Sequence, residues 1–66
     1  MKSQGKIYGI MNLQTGCYFT GTDKKGTPEY SWFPHNAKRY SGYFVRRVVT
    51  TLKNLTGAKH KMERID

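Results

Sequence analysis

Lys38, Arg39, Arg46, Arg47 and Lys53 lie in a stretch, residues 30–62, that holds no aspartate or glutamate. Tyr30, Trp32 and Tyr43 share that stretch, and Tyr18 and Phe19 precede it. Lysine and arginine meet phosphates without reading sequence, while flat rings give unpaired bases a stacking surface worth about 1–3 kcal/mol per base. Together the two residue types form the one constellation in the chain that rises above background, and the chemistry they point to is nucleic-acid binding. The residues expected to carry it are Lys38, Arg39, Arg46, Arg47 and Lys53 toward phosphate, with Phe19, Trp32 and Tyr43 toward bases. The competing reading is a solubilising basic surface over a core that uses up the aromatics.

Other residue types offer less. Asp23 and Glu29 could be paired as carboxylates, but they bracket Lys24-Lys25-Gly26-Thr27-Pro28, a loop by composition, so a solvated loop outweighs general acid/base work. Cys17 is the only cysteine, which excludes an internal disulfide and fits a reducing compartment. His35 and His60 are far apart in sequence, and with one cysteine they make no four-ligand metal set of usable spacing. No catalytic residues, metal or cofactor are therefore expected, and the chain reads as non-enzymatic.

Length and charge narrow the classes further. Sixty-six residues with 36% hydrophobic content make one small domain over 1–66, with 1–5 and 58–66 as candidate flexible ends and a core little more than one layer deep. Twelve Lys and Arg against four acids give a net charge of +8, a field that seeks nucleic acid or an acidic protein surface. No apolar run is long enough for a signal peptide or a membrane span. The expected location is cytoplasmic, with no membrane partner.

The elements that must position these residues begin with a hairpin. Residues 6–12 and 17–22 are rich in Tyr, Phe and Ile and flank Leu13-Gln14-Thr15-Gly16, a turn sequence closed by glycine. Pairing Leu13 with Cys17 would put Tyr8, Ile10, Tyr18 and Thr20 on one face and Gly9, Met11, Cys17, Phe19 and Gly21 on the other. Residues 29–33 read as a third strand stopped by Pro34. Ser41 is the expected N-cap of a helix over 42–56, with Gly57 as the left-handed residue beyond it. Phe44, Val45, Val48, Val49, Leu52 and Leu55 make one stripe at helical period, which outweighs the β-branched composition. The fold class is α+β: a three-stranded antiparallel sheet with one helix packed on one face, in the order β-β-β-α, with residues 60–66 either a short fourth strand or a charged tail. One helix covers only one face of a sheet, so the second is expected either to expose aromatic area, for a ligand or a homodimer partner, or to be closed by twist and tail.

Three resemblances accompany this reading. Ile7, Tyr8, Ile10, Asn12, Gly16, Phe19 and Gly21 make a hairpin similar to the opening of the GIY-YIG nucleases, but Phe19, which has no hydroxyl, stands at the second tyrosine position, and Lys6 replaces the leading glycine. Gly42-Tyr43-Phe44-Val45 resembles part of the RNA-recognition sheet motif, one residue short, within a segment better read as helix. Over residues 7–55 the chain resembles a loose set of short, mostly uncharacterised proteins encoded by phages and prophages, through Tyr8, Ile10 and Asn12, Thr15-Gly16-x-Tyr18-Phe19-x-Gly21, Gly26-x-Pro28 and Asn36-Ala37-Lys38-Arg39-Tyr40. That resemblance implies a compact sheet-plus-helix accessory protein acting in the host cell cytoplasm. The expected function is nucleic-acid binding through the basic helix flank and an aromatic sheet face. The rival is a protein-binding inhibitor of a host defence or replication enzyme, of the anti-CRISPR or anti-restriction kind.

Overall fold

The computed structural model describes residues 6–65. The chain is α+β, an antiparallel sheet of five strands with one helix packed on it. Its elements run β1 (Ile7–Asn12), β2 (Tyr18–Thr22), β3 (Pro28–Ser31), a 3-10 turn (Pro34–Asn36), β4 (Tyr40–Ser41), α1 (Gly42–Thr56) and β5 (His60–Arg64). Strand β1 is central. Met11 pairs with both Tyr18 and Lys61, and Tyr8 with both Tyr40 and Arg64. Strand β5 therefore occupies one edge of β1, while β2 and β4 share the other, β2 at the hairpin end and β4 at the start.

The hairpin forms, but one residue out of the expected register. The Asn12 side chain accepts the Gln14 N–H at 2.8 Å, Gly16 N–H donates to the Asn12 carbonyl at 2.8 Å, and Asn12 N–H donates to the Cys17 carbonyl at 2.8 Å. Asn12, not Leu13, thus stands opposite Cys17. A slip of one residue moves every side chain of a strand to the other face. Phe19 accordingly joins Ile10 under the helix, and Tyr18 crosses to the far side with Met11. Past Tyr18 the strand leaves β1, and the Phe19 carbonyl takes the Lys38 N–H at 2.9 Å instead.

Helix α1 spans the expected residues, from the N-cap Ser41 to Gly57, whose φ of 74° is the left-handed geometry that suits glycine. Its threonines are tolerated because their hydroxyls donate to carbonyls one turn back, Thr50 to Arg46, Thr51 to Arg47 and Thr56 to Leu52. The core is Ile10, Phe19, Val45 and Leu52, with Tyr8, Tyr30, Tyr40, Val48 and Val49 around it. The buried stripe is narrower than expected. Phe44 and Leu55 are exposed, because they lie about 80–100° around the helix from Val45, on the side away from Val49.

Strand β3 ends at Ser31, short of the expected Phe33. The Ser31 hydroxyl accepts the Phe33 N–H at 3.2 Å and the Asn36 side-chain amide at 3.0 Å, folding the chain into the 3-10 turn and leaving Trp32 and Phe33 exposed. The tail resolves as β5, paired with β1 from Tyr8↔Arg64 to Asn12↔His60. The suggestion of a flexible end at 58–66 thus meets a strand over 60–64, and that at 1–5 lies outside the described residues. The sheet's second face is covered around Gly9, and its Tyr18 ring is buried rather than exposed. A side chain at Gly9 would sit 3.2 Å from the Ala37 methyl and 3.5 Å from Ile65.

Candidate nucleic-acid interface

Helix α1 and β5 lie side by side, and a groove runs along their seam. Its wider part, about 460 Å³, is lined by Leu13, Val49, Thr50, Lys53, Asn54, Lys59 and His60. The second part, about 360 Å³, shares Val49, Thr50 and His60 and adds Arg46, Lys61 and Met62. Four cations therefore border the groove and, among the described residues, no carboxylate does. Lys61 forms an ion pair with Glu63 at 3.5 Å, half-exposed and worth at most about 1 kcal/mol. Arg46, Lys53 and Lys59 have no ion-pair partner among the described residues.

The groove floor is hydrogen-bonded from both sides. His60 is buried, its Nδ1 lies 2.9 Å from the Ala58 carbonyl and its Nε2 lies 2.7 Å from the Tyr30 hydroxyl. A carbonyl can only accept, so Nδ1 carries a hydrogen; in the neutral ring Nε2 then accepts from Tyr30. Burial pushes the Tyr30 phenol up, with a hydrogen bond to Asn12 opposing the shift. On the far face the Tyr18 hydroxyl donates to Glu63 Oε1 at 3.0 Å, and this bond, with burial and the carboxylate charge, pushes the Tyr18 phenol up as well.

Of the residues expected from sequence, Arg46 and Lys53 line the groove. Arg47 and Tyr43 are exposed on α1, four residues apart and so neighbours on its surface. Lys38 lies 5.8 Å over the Tyr40 ring, in the segment before β4, with Arg39 exposed beside it. Trp32 is exposed in the turn after β3, 71% accessible. Phe19 is 3% accessible and packs edge-on against Tyr30 at 6.0 Å. It is a core residue, and the register shift is what puts it there, so no base can stack on it.

Sequence reasoning missed Lys59, Leu13 and Asn54 as groove residues. The Lys59-His60-Lys61 run carried a charge signal, but nothing local tied it to the helix. The Asp23–Glu29 loop is structural at Asp23: one carboxylate oxygen accepts the N–H groups of Lys25 and Thr27 at 2.8 and 2.9 Å. Among the described residues no helix is long and apolar enough to cross a membrane. Comparison with protein-family models, curated proteins and solved structures gave no match to this chain.

Proposed function

We propose that the protein is a non-enzymatic nucleic-acid-binding protein, an accessory protein of the phage-encoded kind that residues 7–55 resemble. The observation that carries this reading is the α1–β5 groove, which Arg46, Lys53 and Lys59 line with no carboxylate in the lining and no ion pair among the described residues. Arg46 and Lys53 are two turns apart on the helix, about 10 Å along its axis, which suits contact with successive phosphates of one strand. Arg47 extends the positive surface over the top of α1, and Tyr43 at the helix start supplies an exposed ring.

The test separates a site from mere net charge. Arg46→Glu with Lys53→Glu is expected to weaken binding of a short labelled oligonucleotide about ten-fold or more at low salt. Lys24→Glu with Lys25→Glu makes the same charge change in the loop between β2 and β3 and is expected to weaken it far less. Equal losses in the two variants would mean general attraction and no groove.

A second reading, docking on an acidic protein surface such as that of a host defence or replication enzyme, draws support from Trp32 and Phe33, 71% and 59% accessible, since exposed aromatics are frequent anchors of protein interfaces. Under it Trp32→Ala would abolish partner binding while leaving oligonucleotide affinity unchanged.

A further inference from the structure

Resting on the nucleic-acid reading, we infer that the wider part of the α1–β5 groove holds one unstacked nucleotide of a single strand, its base against Leu13 and Val49 and its phosphate between Lys53 and Lys59. The lining has two halves of different chemistry. Leu13, at the hairpin tip, is 50% accessible and turns apolar surface to the groove, anchored by its N–H to the Lys59 carbonyl at 2.9 Å. Val49 is the partly buried helix residue beside it. Lys53 and Lys59 approach from the helix and from the start of β5. A phosphate alone leaves the apolar wall unused, and an apolar ligand leaves two cations unmatched; a nucleotide satisfies both.

The remaining polar groups fit the same ligand. The Asn54 amide has no hydrogen-bond partner among the described residues and offers both donor and acceptor to a base edge. His60 offers nothing, because both ring nitrogens are occupied, and it serves as a fixed wall. A volume of about 460 Å³ lies within the range of roughly 300–1,000 Å³ typical of small-ligand clefts. Paired bases keep their faces inside the duplex stack, so only an unpaired base can reach Leu13 and Val49.

The experiment measures fluorescence anisotropy with a labelled thymine oligonucleotide of about ten residues, an abasic strand of equal length, the matching duplex, and unlabelled thymidine monophosphate as competitor. The intact strand is expected to bind about ten-fold tighter than the abasic strand or the duplex. Leu13→Ser, at a half-exposed position, is expected to remove most of that gap while leaving the abasic affinity unchanged. Equal affinity for intact and abasic strands would overturn the nucleotide site yet leave the phosphate-binding groove standing. Displacement by the monophosphate, with no tighter binding of the strand, would assign the pocket to a free nucleotide and overturn the strand. Failure of every probe to bind would overturn both readings.

Discussion

His60 shows how a buried polar side chain can shape a groove without acting in it. Its ring is held from both sides, by the Ala58 carbonyl and the Tyr30 hydroxyl. Removing one partner leaves the other group buried and unsatisfied, which costs about 1–3 kcal/mol. Tyr30→Phe should therefore lower the free energy of unfolding by about that amount in a denaturant titration; an unchanged midpoint would mean that water replaces the hydroxyl. The tyrosines also set a pH limit. Tyr18 is raised by its bond to Glu63, and Tyr30 and Tyr40 by burial, each above the ordinary value of 10.0. A phenol raised in the folded state loses its proton first in the unfolded one. Its contribution to stability is complete below pH 10 and declines as pH rises through the folded value. The unfolding midpoint should fall above pH 10 as tyrosinate absorbance rises, and a flat midpoint through the tyrosine titration would contradict the assignment.

At the scale of elements, α1 and the hairpin were legible to different degrees, for physical reasons. The C-terminal end of α1 is written locally, in the glycine that takes positive φ at 57, and Ser41 stands at the N-cap position as expected although its side chain makes no capping hydrogen bond. The width of its buried stripe is not local, since it depends on how much sheet lies beneath. Leu52 and Leu55 look equivalent in the pattern, yet they are 2% and 61% accessible. Leu52→Ala should cost about 2–5 kcal/mol and Leu55→Ala less than about 0.5, measured by chemical denaturation. Similar costs would restore the broad stripe. The hairpin's existence was equally plain, but its register goes with a turn in which the Gln14 N–H donates to the Asn12 side-chain oxygen. Two-residue periodicity converts that small choice into a change of face, which carried Phe19 from the expected binding surface into the core. Strands β4 and β5 depend on pairing with a distant β1, so local composition left β5 as one of two alternatives for the tail and did not announce β4. For that reason Arg46 and Lys53 were visible as candidates and Lys59 was not.

Across the whole molecule, the excess of positive charge acquires a location. Among the described residues the ion pair Lys61–Glu63 lies on β5, and Asp23 is engaged by loop amides, leaving the α1–β5 seam without an acid to offset Arg46, Lys53 and Lys59. Of the three rings expected to face a base, Trp32 after β3 and Tyr43 at the start of α1 are exposed, beside Phe33 and Phe44, and Phe19 is in the core, while Ala37 and Ile65 lie over Gly9 on the second sheet face. The central claim is that the groove binds a strand through its phosphates, and counterion release makes that claim measurable. For two phosphates, one at Arg46 and one between Lys53 and Lys59, log affinity for a single-stranded oligonucleotide should fall against log salt with a slope of about −1.4. In the Arg46→Glu, Lys53→Glu variant the magnitude of that slope should shrink to about 0.7 or less. A slope near zero in the native protein, or one that the double variant leaves unchanged, would contradict the account.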